Sequence, residues 1–197
     1  MMAPQLPVRE RILASAARLF DANSIRMVSA DKIIADAGIS KVTFYRHFQS
    51  KDHLVVAYLD GQLEQLMAAV AEARAGKQDA CAVLLHLAAA YGSAACKPGF
   101  RGCTFINAAA EYPGEDHVVR AAVERYRTWL HDVVRELLAD LGVDQPGIVA
   151  DQLIMLRDGA MVQGYLGNPT GVADSLVTAG RAIVSASAGA AGLTREQ

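Results

Sequence analysis

Apolar residues recur along this chain at intervals of three and four, and no stretch of alternating β-branched residues bounded by turn signals competes with them. The pattern predicts an all-α fold. A first helix at about residues 8–23 carries Ile12, Ala16, Leu19 and Phe20 on one face. Three serines, Ser29, Ser40 and Ser50, then stand where a helix is about to begin. A serine hydroxyl there accepts a hydrogen bond from an orphan N–H of the first turn. Between the first two serines lies Ala37-Gly38-Ile39, where Gly38 can adopt the left-handed conformation that ends one helix and turns the chain into the next. Two short helices joined by a glycine turn, braced by one helix before and a long one after, predict a helix-turn-helix.

Beyond Ser50 the predicted helices lengthen, at about 51–75 and 78–96. Lys97-Pro98-Gly99-Phe100-Arg101-Gly102 breaks the pattern, and a short helix at about 103–112 is ended by Pro113-Gly114. Helices at about 115–141, 148–166 and 172–188 follow. This organisation predicts a DNA-binding-type head over 1–52, a helical body over 53–190 and a flexible tail over 191–197. The last two helices carry apolar faces containing small residues: Leu153, Leu156, Ala160, Met161 and Gly164 on one, Val172, Leu176, Ala179, Gly180 and Ile183 on the other. Such faces either form a four-helix interface between two copies of the chain or complete the core of one copy.

Charge adds a polarity to this layout. The 197 residues carry a formal net charge of −2. Residues 1–54 hold eight Lys/Arg against five Asp/Glu, a balance of +3, which leaves −5 for the remainder. A basic head on an acidic body suits a polyanion met by the head alone. No apolar run is long enough to span a bilayer, and residues 1–11 lack the apolar segment and cleavage site of a secretory signal, so a cytoplasmic location is expected. Cys81, Cys96 and Cys103 match no metal or disulfide spacing. His86, His117 and His131 stand on separate predicted helices without ligand spacing. No metal or cofactor is expected, and no nucleophile–base or paired-carboxylate constellation supports the alternative of an all-α enzyme.

The second helix of the predicted motif begins at Ser40 and suits a DNA groove. Lys41, Arg46 and Lys51 can neutralise phosphates, Thr43, Tyr45 and His47 offer donors to phosphate oxygens, and the Val42 methyls can touch a thymine methyl. The string from Ala37 to Phe48, Ala-Gly-Ile-Ser-Lys-Val-Thr-Phe-Tyr-Arg-His-Phe, followed by Ser50-Lys51-Asp52-His53-Leu54, resembles the tetracycline-repressor (TetR) family. Leu19-Phe20, Ser29 and Ile33 fall at that family's spacing upstream. The resemblance implies that Ser29, Lys41, Thr43, Tyr45, His47 and Lys51 contact DNA and that Phe44, Phe48 and Leu54 hold a three-helix core. With Ser40, Val42 and Arg46 these make the candidate DNA-binding set. Ser24 stands where a glycine commonly ends the first helix, and Ile34 where an alanine commonly faces the reading helix. The resemblance also implies a small-molecule cavity in the C-terminal helices and a homodimer through the last two. The implied function is a repressor released from a two-fold symmetric operator by an effector.

Phe100 to Tyr112 resembles a stretch in one branch of that family. Asn107 and Glu111 stand one turn apart in it, and they either orient a ligand or cap neighbouring helices or bond to the body's own backbone. The candidate ligand residues are Phe105, Asn107, Glu111, Tyr126 and Trp129. An uncharged or weakly polar ligand is expected, because the body is rich in aromatic residues and Arg125 and Arg157 are expected on solvated or interfacial faces; either one turned inward instead suits a carboxylate. Cys103, after a glycine-rich break, is either a thiol switch for oxidants or electrophiles or a buried, inert cysteine.

Overall fold

The expected helical periods are realised. The computed structural model describes residues 6–76, 79–97, 99–167 and 170–189, and among these it contains nine helices and no strand. They are α1 (Val8–Ala22), α2 (Ala30–Ala37), α3 (Lys41–His47), α4 (Lys51–Ala75), α5 (Ala80–Ala95), α6 (Thr104–Glu111), α7 (Val118–Asp140), α8 (Pro146–Leu166) and α9 (Val172–Gly189). The chain divides into two compact units, one of residues 1–64 with 104–125, the other of residues 65–103 with 126–197. The expected tail at 191–197 and the expected start of α5 at Gln78 lie outside the described residues.

In the first unit each of the three serines opens a helix. Ser29 Oγ accepts from Lys32 N at 3.2 Å, Ser40 Oγ from Thr43 N at 3.1 Å and Ser50 Oγ from His53 N at 3.2 Å. Gly38 has φ +61°, and the N–H groups of Gly38 and Ile39 bond back to Ala35 O and Ile34 O, closing α2 in a left-handed Schellman turn. Arg11 of α1 donates to Ala37 O at 2.6 Å and so caps the same end from outside. The core takes Ile12, Ala16 and Phe20 from α1, Ile33, Ile34 and Ala37 from α2, and Phe44 from α3. α4 adds Leu54, Val55, Tyr58 and Leu59, with Tyr58 edge-on to Phe20. The unit runs along α4 to Glu64, and α6 with the start of α7 completes it through Phe105, Ala108, Val119, Ala122 and Val123.

In the second unit α5 packs against α8 and α9. Asp79 caps α5 by accepting from Ala82 N at 2.7 Å. α8 begins at Pro146, in a stretch expected to be a connection, because a proline at the first helical position forgoes an N–H that has no partner anyway. Glycines bring the helices close. A Cβ at Gly92 would lie 2.5 Å from Ala173 Cβ on α9, and one at Gly164 would lie 2.7 Å from Ala95 Cβ on α5. Val70, Val83, Leu87, Val133 and Leu137 form a buried cluster on which Trp129 packs.

The Gly92 approach leaves no room for a side chain, and overpacking a core commonly costs about 1–3 kcal/mol. Gly92→Val is therefore expected to lower the thermal midpoint of the full-length protein, followed by far-ultraviolet circular dichroism. An unchanged midpoint would mean that α5 and α9 do not meet here.

Candidate nucleic-acid interface and sensor cavity

The candidate DNA-binding residues all lie in the first unit, at the starts of α2, α3 and α4 and along α3. Phe44 is fully buried, whereas Val42 is 71% and Tyr45 46% exposed on the same seven-residue helix. Lys41, Arg46 and His47 are exposed as well. α3 thus anchors one side chain in the core and presents the others outward. Ser29 and Ser40 are spent as helix caps, and Thr43 Oγ1 lies 2.8 Å from Ser40 Oγ. Lys41 stands 3.7 Å from Asp31, a solvated and therefore weak pairing. Lys51 is partly buried and donates to Arg26 O at 3.3 Å; burial pulls its pKa below the usual ammonium value, against the opposing charges of Asp52 and Glu111.

Glu111 of α6 is committed to this unit's own backbone. Its carboxylate accepts from Ser24 Oγ at 2.7 Å, Arg26 N at 2.7 Å and Ile25 N at 3.2 Å. One carboxylate therefore holds three successive residues of the α1–α2 loop. This also accounts for Ser24 in place of glycine: the loop needs no positive φ there, and the hydroxyl supplies a bond that glycine lacks. Tyr112 donates to Asp52 at 3.2 Å, and His117 Nε2 lies 3.3 Å from the same carboxylate. Ile34 sits in the core with its carbonyl accepting the turn bond from Ile39.

The second unit encloses a cavity of about 390 Å³, lined by α5, α7, α8 and α9. Its walls are mostly leucine and valine, with Tyr91, Arg157 and Arg181 as the larger polar groups. Here one expectation is corrected. Arg157, expected on a solvated or interfacial face, is 7% exposed. Its Nη1 donates to Asp158 at 2.8 Å and its Nη2 to Cys103 Sγ at 3.1 Å, and its guanidinium lies 4.3 Å from the Tyr91 ring. Arg125 does face solvent, paired with Asp60 at 2.6 Å. Cys103 is buried, whereas Cys81 and Cys96 are exposed.

The five candidate ligand residues do not line this cavity. Phe105, Asn107 and Glu111 stand on α6 in the first unit, with Phe105 buried. Trp129 packs on the α5–α7 cluster. Tyr126 is fully buried with its hydroxyl 3.3 Å from that of Tyr91, and burial raises the pKa of both phenols, which keeps them protonated. Tyr91 and Leu84, on the cavity wall, were not singled out from sequence. α5 is apolar around most of its circumference, so its period marks no inward face. Adjacent Arg157-Asp158 was the available signal, since an acid beside an arginine allows burial as a pair.

Residues 12–58 match the family described as bacterial regulatory proteins, tetR family. The crystal structure of a TetR-family transcriptional regulator from Streptomyces coelicolor is 38% identical, superposes with a TM-score of 0.85 and covers 92% of this chain and 96% of that one. The nucleoid occlusion factor SlmA of Shewanella sediminis is 25% identical over 173 residues, 82% of this chain and 85% of the relative. The HTH-type transcriptional regulator YjdC of Escherichia coli is 32% identical over 62 residues, a match spanning about a third of either chain (32% of each). A three-helix head ending in an exposed, core-anchored α3, on a helical body, defines a helix-turn-helix regulator. The chain belongs to the TetR family of transcriptional regulators. No helix among the described residues is long and apolar enough to cross a membrane.

Charge-assisted hydrogen bonds contribute about 1.5–3 kcal/mol each when well desolvated, and less in a half-exposed site such as this. Glu111→Ala, which removes three bonds at once, is expected to destabilise the chain by about 1–3 kcal/mol and to raise amide exchange at residues 24–26 above that of α1. Exchange at those amides unchanged from wild type would contradict the clamp.

Proposed function

We propose that the protein is a homodimeric repressor that reads a two-fold symmetric operator with α3 and leaves it when an effector occupies the body. The observation that carries this is the division of α3 into a buried Phe44 and an outward set of Val42, Tyr45, Arg46 and His47. The basic surface around it attracts the phosphate backbone, which supplies affinity without sequence preference. The exposed Val42 methyls suit direct contact with a thymine methyl in the major groove. Lys51, partly desolvated at the start of α4, gains a full counter-charge when a phosphate approaches, in a position where helix N–H groups also point at the anion.

What the protomer leaves uncovered on α8 supports dimerisation through the last two helices. Of the residues expected at the interface, Met161, Val172 and Leu176 are buried within the protomer, and Gly164 serves the approach to α5. The outward stripe of α8 is instead Ile148, Met155, Val162 and Leu166, between 45% and 73% exposed, with Gly159 among them where an added Cβ meets nothing. A run of apolar residues at this spacing suits a self-complementary contact about a two-fold axis. Effector release then requires only that occupancy favour a spacing of the two heads that misses the operator, in proportion to the effector's differential affinity.

DNA fragments selected by the protein from a random pool provide the test. Affinity is expected to fall linearly on a logarithmic salt scale. Lys51→Ala and Tyr45→Phe should weaken all selected sites about equally, whereas Val42→Ala should relax preference at a single thymine. Recovery of no shared sequence would overturn the operator reading. For the dimer, Val162→Glu should convert the protein to a folded monomer by sedimentation and abolish binding to the full operator; a stable dimer of that variant would move the interface elsewhere.

A further inference from the structure

Of the side chains lining the second unit's cavity, two are cationic, Arg157 and Arg181, and none is a carboxylate. Arg181 and Ser185 are exposed, whereas Arg157, Ile154 and Leu176 are buried, so the lining grades from a solvated rim to an inner end at Arg157. Arg127, whose side chain is 41% exposed, and the buried Arg157 both bond to the single carboxylate of Asp158, one to each oxygen, so Arg157 shares its counter-ion with a second, more solvated arginine. Nη1 of Arg157 holds that carboxylate, but Nη2 meets only the Cys103 thiol, a weak acceptor, and Nε is buried with no hydrogen-bond partner among the described residues. A buried guanidinium cannot shed its proton, and a buried donor left without an acceptor is costly.

We infer that this cavity takes an apolar monocarboxylate, whose carboxylate is received on the Nε–Nη2 edge of Arg157 and whose hydrocarbon body lies against Leu84, Ala88, Leu153 and Leu176. The inference rests on the reading of the body as an effector sensor and names the chemistry it senses. The Nε–Nη2 edge presents two parallel donors, the geometry that a carboxylate accepts in bidentate fashion. A carboxylate there replaces the weak thiol contact, gives Nε an acceptor and adds a second carboxylate beside the two arginines that share Asp158. Tyr91, kept protonated by burial and placed beside the guanidinium, adds a neutral donor at the same end. The volume of about 390 Å³ lies within the usual range of small-molecule sites, roughly 300–1,000 Å³.

The test is calorimetric titration of the full-length protein, without DNA, with octanoate and 4-phenylbutyrate and with the primary amide of each. At least one acid is expected to bind, and to bind about ten- to a hundredfold more tightly than its amide, the ratio that a charge-assisted pair supplies. Arg157→Gln, which leaves Asp158 paired with Arg127, should erase that ratio. Val184→Trp, which fills the cavity and leaves the arginine itself unaltered, should abolish binding of acid and amide alike. The inference is overturned if neither acid binds, if the amides bind as well as the acids, or if Arg157→Gln preserves the preference. The acid–amide comparison on the unmodified protein decides the question even if a variant fails to fold. Because no DNA is present, failure here leaves the operator reading standing, and loss of operator binding leaves the ligand selectivity unaffected.

Discussion

A helix of seven residues has almost no stability of its own, because nucleation fixes several residues before propagation rewards them. α3 exists because Phe44 is buried without exposure, and because Ser40 and the Gly38 turn settle where it starts. The burial of that one aromatic ring, about 1.5–3 kcal/mol by area alone, fixes the helix's rotation about its own axis. With Phe44 pointing inward, Val42, Tyr45 and Arg46 have to point out. The outward set proposed to meet DNA is thus a by-product of packing, and its placement is inherited from the core.

The two units solve the same problem of partly buried charge in opposite ways. In the first, the Glu111 carboxylate is satisfied by Ser24, Ile25 and Arg26, so an acidic residue on an otherwise apolar helix becomes a fastener for the loop that leads into α2. In the second, Arg157 is only partly satisfied: it shares Asp158 with Arg127 and leaves Nε without a partner. Complete satisfaction makes a rigid structural element. Incomplete satisfaction next to a cavity makes a place where an outside group has something to gain, and that difference separates the structural reading of Glu111 from the binding reading of Arg157.

α8 shows how one helix serves two surfaces. Its overall apolar character has no strong single face, which is what a helix covered on both sides requires. Ile154, Arg157 and Met161 turn toward the protomer's own interior, and Met155, Val162 and Leu166 turn away from it. Glycine at 164 permits the inward contact, glycine at 159 leaves the outward side flat.

The local sequence determined the helices, their caps, the Gly38 turn and the chemistry that α3 carries, because each of these depends on residues within a turn or two of one another. Ser29, Ser40 and Ser50 declare helix starts wherever they are placed before a helical period, and the α3 string carries its chemistry in the seven consecutive positions from Lys41 to His47. What only the tertiary structure decided is which of several apolar or polar groups met across long sequence separations. That Glu111 reaches Ser24, 87 residues away, and that Arg157 reaches Cys103, 54 residues away, has no local signature. The direction of Arg157, inward rather than outward, depended on Asp158 and Arg127 arriving beside it. On helices as uniformly apolar as α5 and α8 the period does not mark an inner face, so the cavity and the outward stripe were settled by packing alone.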